Sequence, residues 1–173
     1  MVNNNIMRKL KIEKITVNIG VGESGENLEK AKKLLQKLTG RLPAMTKARK
    51  REQSFGIKKG ENIGVKVTLR GREAEEFLGK ALDAVDRKLK RKAFDRFGNF
   101  SFGIREYIDF PGARYDPTIG LVGFDVCVTI ARTGSRIENR RRMKSKMPAV
   151  QRGTAEESIN FMRDKFGVSI IES

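Results

Sequence analysis

Lys66, Thr68 and Arg70 stand at alternate positions of the segment IGVKVTLR, interleaved with Ile63, Val65, Val67 and Leu69. Strict alternation is the period of a β-strand. The four apolar side chains therefore share one side, and the two cations share the other with the threonine hydroxyl. Ammonium, hydroxyl and guanidinium groups in a row bind phosphate and ribose oxygens without transforming them. Lys14, Thr16 and Asn18 repeat the arrangement in KIEKITVNIGV, with Ile15, Val17, Ile19 and Val21 turned the other way. Small groups on such a face let a sugar–phosphate backbone approach closely, while Lys and Arg neutralise its charge.

Side chains suited to covalent or acid–base catalysis are scarce. The chain has no histidine, which removes the commonest general base, the usual partner of a catalytic Ser or Cys, and the commonest zinc ligand. With a single cysteine, Cys127, no Cys/His metal site can be assembled, and no cofactor is expected. Cys127 falls on the outward side of an alternating segment, where it serves as a small residue on a flat face. The run GVGESG, residues 20–25, matches G-x-G-x-x-G between a strand pattern and a helix pattern. A dinucleotide site also needs an acidic residue about 20 positions on, and residues 39–51 contain neither Asp nor Glu. Those glycines instead permit a tight strand-to-helix turn. A P-loop is absent as well: Gly71 is too far from Gly79-Lys80, and Ala81 stands where Ser or Thr is required. The expectation is a non-enzymatic protein with no small-molecule substrate.

Charge indicates the partner. Lys and Arg number 37 against 21 Asp and Glu, giving a net charge of +16 over 173 residues. Such an imbalance opposes self-association and attracts polyanions, whether RNA, DNA or anionic lipid. The start, MVNNNIMRKLKIEK, lacks the apolar core of a signal peptide, and one cysteine suits a reducing, cytoplasmic setting. The best candidate for a membrane span, residues 120–131, is interrupted by Asp125. No amphipathic segment joins a basic face to exposed large aromatics, so a membrane is not expected as a partner. Length predicts one domain over 1–173, able to bury roughly 70% of its unfolded surface without disulfides.

The elements that position these residues follow from periodicity. Strands are predicted at 11–21, 63–70, 100–110 and about 122–130. In the third, Phe100, Phe102, Ile104, Ile108 and Phe110 face inward, with Ser101, Gly103, Arg105 and Tyr107 outward. A helix follows Gly22, with Ser24 as N-cap and Gly40 just past its end. A second runs from about 72 to 92. The last opens on a capping box, Thr154 and Glu157, and VSII adds an edge strand. The order predicts an α+β fold: a mostly antiparallel sheet with helices packed on one face, the other face polar and basic, and long basic loops.

Basic residues cluster in three places: Lys47–Lys59, Arg87–Arg96 and Arg132–Lys146. The middle cluster overlaps a predicted helix end, where cations also complement the dipole. The outer two lack periodicity, the first reading as a long mobile loop and the last as a loop or extended hairpin, and polyanion binding is their simplest use. Phe55, within the first, either stacks on a base or pins the loop to the core, the pin being preferred.

Four long segments carry a family likeness. They are ITVNIGVGESGENLEKAKKLL (15–35), TKARKREQSFGIKKGENIGVKVTLRG (46–71), GNFSFGIREYIDFPG (98–112) and YDPTIGLVGFDVCVTIARTG (115–134). Together, in this order, they resemble the fifth large-subunit ribosomal protein family. The archaeal and eukaryotic branch fits best, because of NRRRMKSK and TAEESINFM. The resemblance implies a cytoplasmic, ribosome-bound structural role in the central protuberance, beside large-subunit rRNA and neighbouring proteins. It implies 5S rRNA binding through Asn18, Thr46, Lys47, Lys66, Thr68 and Arg70. It also implies a loop bearing Arg49, Lys50, Arg51, Lys58 and Lys59 that contacts peptidyl-site tRNA, and an intersubunit bridge to a small-subunit head protein. Arg140, Arg141, Arg142, Lys144 and Lys146 are candidates for further RNA or bridge contacts. The alternative is a free-standing RNA or DNA chaperone or architectural protein, which would not co-sediment with the large subunit.

Overall fold

A computed structural model describes residues 5–148 and 151–171. Among them, strands β1 (Leu10–Gly20), β2 (Ala44–Lys47), β3 (Asn62–Leu69), β5 (Phe100–Ile104) and β6 (Phe124–Arg132) form one sheet in the order β2-β3-β1-β6-β5. Every neighbouring pair in it is antiparallel. A parallel two-stranded sheet joins β4 (Lys88–Lys90) to β7 (Ser169–Ile171). Helices α1 (Glu26–Thr39), α2 (Arg72–Asp83) and α3 (Ala155–Phe166) complete the set. The fold is the α+β arrangement that alternation predicts.

One face of the sheet is a continuous apolar surface. Ile15, Val17, Ile19, Val65, Val67, Leu69, Val126 and Val128 are buried in a cluster that also holds Leu34 and Leu35 of α1, Phe77 and Leu78 of α2, and Met162 of α3. Burying one such side chain contributes about 1.5–3 kcal/mol, so the amphipathic helices fix which face they cover. A register shift between Ile12 and Lys14 keeps Ile12 in the core although it stands an odd three positions before Ile15. The helix ends follow local chemistry. Thr154 and Glu157 form the expected capping box on α3. Left-handed Gly40 and Gly167 close α1 and α3.

Several expectations need correction. The N-cap of α1 is Gly25, without a side-chain cap, and the Ser24 hydroxyl instead donates to Glu61 (2.6 Å). Helix α2 stops at Asp83 rather than about 92. Asp86 and Arg87 adopt left-handed backbone, and Leu89 is buried from β4, where pairing with β7 overrides its helical spacing. The third strand ends at Ile104, and a 3-10 turn over Tyr107–Asp109 reverses the expected pattern. Tyr107 is buried, its hydroxyl accepting the Asp116 N–H (2.8 Å), whereas Ile108 is exposed.

The segment after β6 is the expected loop, anchored at both ends. Ser135–Glu138 forms a 3-10 turn, and the Glu138 carboxylate accepts from the Met147 N–H (3.1 Å) and Arg152 (3.0 Å). Arg96 and Arg152 flank the Phe97 ring at 4.6 and 5.2 Å. Ala149 and Val150, at the end of the 140–150 stretch, lie outside the described residues.

Candidate nucleic-acid interface

The strand register assembles the open face row by row. Ala44, Lys66, Asn18, Asp125 and Gly103 lie side by side across the sheet, and the next row is Thr68, Thr16, Cys127 and Ser101. Thr46 pairs with Gly64, which pairs with Gly20. A Cβ on Gly64 would come within 2.8 Å of both the Ile19 carbonyl and the Thr46 hydroxyl, so only glycine admits Thr46 here. Arg70 is exposed one residue past β3, and Lys47 is exposed at the end of β2. The face is thus flatter and less charged than the sequence suggests. Small residues, Thr, Ser, Gly, Ala, Asn and Cys, make up most of it, with Lys66 and Asp125 on either side of Asn18 in the first row and further cations beyond the strand ends. The Cys127 thiol is pushed up by burial and then by the Asp125 charge, which leaves it mostly protonated at neutral pH.

The first basic cluster is only partly a loop. Its start is β2, an edge strand paired with β3, and the chain then leaves the sheet as a closed hairpin. Ala48 N–H bonds Glu61 (2.8 Å), Gly60 N–H bonds Ala48 (2.9 Å), and Glu52 and Ile57 exchange two bonds of 3.0 Å. Glu61 buttresses the base: its carboxyl is held below the usual range by the Lys58 N–H, then by Ser24. Arg49, Lys50, Arg51, Lys58 and Lys59 are all exposed. Phe55 is 76% exposed at the tip, beside left-handed Gly56, so the pin to the core is not formed.

At the opposite end of the strands lies a groove of about 1000 Å³. Lys11, Lys14, Arg70, Arg136, Arg140 and Arg141 line it, with Glu13 and Glu75 among them. Glu75 is already engaged by Lys165 (2.6 Å). Arg140 donates through Nε to the Met143 carbonyl (2.8 Å), while Arg142, Lys144 and Lys146 are exposed. Three segments distant in sequence therefore converge on one basic channel continuous with Lys14 and Arg70. Sequence alone gave no sign of this, because the convergence depends on the turn after β6.

The middle cluster has structural duties. Arg87 pairs with Asp83 (2.7 Å) and donates to the Phe166 carbonyl at the end of α3 (3.2 Å). Arg91 lies 4.0 Å from Glu156. The helix whose end this cluster was expected to complement stops at Asp83, so only Arg87 meets a helix end, and that end belongs to α3.

A helix-backed sheet with an open face of small polar and cationic groups is the framework of a docking protein, one that holds a partner without transforming it. The profile of ribosomal protein L5 matches residues 5–58, and the profile of the C-terminus of the same ribosomal family matches 62–152. A large ribosomal subunit protein uL5 from Sulfolobus acidocaldarius is 53% identical over 97% of this chain and 94% of its own. Another uL5, from Sulfurisphaera tokodaii, is also 53% identical, over 97% and 96%. The uL5 of Methanosphaera stadtmanae is 46% identical, over 96% and 99%. The chain belongs to the ribosomal protein L5 family, a family of structural, non-enzymatic constituents of the large ribosomal subunit, at work in the cytoplasm within the ribosome.

Proposed function

We propose that this protein binds 5S ribosomal RNA through the open face of its sheet and so helps hold that RNA in the central protuberance. The contact residues are Asn18, Thr46, Lys47, Lys66, Thr68 and Arg70. The observation that carries the reading is their assembly: residues from β1, β2 and β3 meet on one uncovered face, where small polar side chains surround Lys66. Recognition is phosphate neutralisation plus shape, with no chemical step. The groove with Lys14, Arg70, Arg140 and Arg141 extends the cationic surface towards large-subunit rRNA, and the exposed Arg142, Lys144 and Lys146 follow in the chain.

The hairpin over 49–59 serves a different partner, the elbow of peptidyl-site tRNA. Its exposed cations supply phosphate contacts, and Phe55 supplies an apolar ring for a base or ribose at the tip. Contacts with a small-subunit head protein and neighbouring central-protuberance proteins complete its placement. Strands from both matched stretches share one sheet with β1 at its centre, which supports treating 1–173 as one folding unit.

Deleting residues 49–59 separates the two roles. Affinity for 5S rRNA stays within a few-fold of the full chain, while tRNA positioning on reconstituted ribosomes deteriorates. Equal loss of both would place the hairpin within the 5S surface.

A further inference from the structure

On the proposed docking face, Asp125 is out of character. It is exposed in the row Lys66–Asn18–Asp125–Gly103, on a chain of net charge +16. Its carboxylate makes no hydrogen bond or ion pair with any described residue. A Cβ on Gly103 would lie 3.2 Å from Asp125 Oδ1, so glycine there keeps the carboxylate uncrowded. Nearby Cys127, Thr16 and Ser101 form a low surface around it.

An ionised carboxylate accepts hydrogen bonds and donates none. Against phosphate it repels, so on a face that grips RNA it weakens binding unless donors meet it. RNA offers such donors away from its phosphates, in the guanine N2 amine and the ribose 2′-hydroxyl, side by side in the wide, shallow minor groove. A flat surface of small residues suits that groove. Lys66 stands two strands away, about 10 Å across the sheet, where it can hold the flanking phosphate while the carboxylate meets the base edge.

We propose that Asp125 is a specificity-determining residue: its two oxygens accept from a guanine N2 amine and an adjacent 2′-hydroxyl of the bound RNA. This deepens the docking-face reading and rests on it. Cations fix where the backbone lies, and Asp125 selects which sequence is accepted there.

The test uses transcripts of 5S rRNA carrying phosphorothioate-tagged inosine at random guanosine positions. Bound and unbound pools are separated with the wild-type chain and with Asp125→Ala. Wild type should show at least one guanosine at which inosine, lacking the N2 amine, interferes with binding, and that interference should vanish with Asp125→Ala. The variant should also bind unmodified RNA about tenfold or more weakly. Identical interference maps, or affinity equal to or above wild type, would overturn the assignment. Lys66→Ala distinguishes the two levels. If it weakens binding while Asp125→Ala does not, only the carboxylate's role fails. If neither variant matters, the docking face itself is misplaced.

Discussion

Replacing Lys66 and Arg70 together by alanine perturbs the docking surface with little risk to the fold, since both side chains are exposed. Surface changes of this kind shift stability by about 0.5 kcal/mol or less each. Eight cations on the face and in the groove, Lys11, Lys14, Lys47, Lys66, Arg70, Arg136, Arg140 and Arg141, make no ion pair with a described acid. If each meets one phosphate, the logarithm of affinity for 5S rRNA should fall with the logarithm of salt at a slope of about −6 to −7. Losing two contacts reduces the magnitude of that slope by about 1.4–1.8. With a common intercept at 1 M, the double variant then binds about 30-fold more weakly at 0.1 M salt and about threefold more weakly at 0.5 M. Filter binding across that range, with thermal melts to verify folding, measures both quantities. Parallel lines for variant and wild type would show that neither side chain meets phosphate, and a nearly flat wild-type line would reject the electrostatic mechanism.

Two further expectations concern the scaffold. Gly98→Ala drives a Cβ into the Ser158 hydroxyl at a φ of +80°, and should destabilise by about 2–4 kcal/mol in denaturant titrations. Ser158→Ala should be neutral or stabilising, because that hydroxyl is fully buried and has no partner among the described residues. Asp116 ties the loop after β5 to α1, and its carboxyl is lowered to about 2 by the hydrogen bond from Lys37, then by Thr118. A lowered folded value contributes stability above the ordinary carboxylate range and loses it as pH falls through about 2. Both tyrosines, Tyr107 and Tyr115, flank this tie, so tyrosine fluorescence should hold down to about pH 3 and change below it. Asp116→Asn, which has no carboxyl to protonate, should abolish that change.

Much of the scaffold was legible because alternation is unambiguous in β1, β3 and β6, and because helical stripes such as Leu28, Ala31, Leu34 and Leu35 specify a buried face. The grouping of Asn18, Lys66 and Thr68 was legible for the same reason: period two places them opposite the core whatever the register. What stayed hidden depends on tertiary pairing. β2 is four residues of weak pattern that become a strand only against β3. Leu89 kept helical spacing yet joins β4. Phe55 looked like an anchor because large aromatics usually find a core, but the Glu52–Ile57 bridge projects it outward. The groove beside Arg140 and Arg141 required a turn that no local signal specified.

The single cysteine gives the most direct test of the open face. Cys127 lies in the row between Thr16 and Ser101, exposed, and no other thiol is present to confuse the readout. Alkylation by a small maleimide at mildly alkaline pH, where enough thiolate forms, can be timed with and without saturating 5S rRNA. Docking through this face predicts that RNA slows the reaction at least tenfold and that 0.5 M salt restores the free rate. An unchanged rate under saturating RNA would mean that the RNA sits elsewhere.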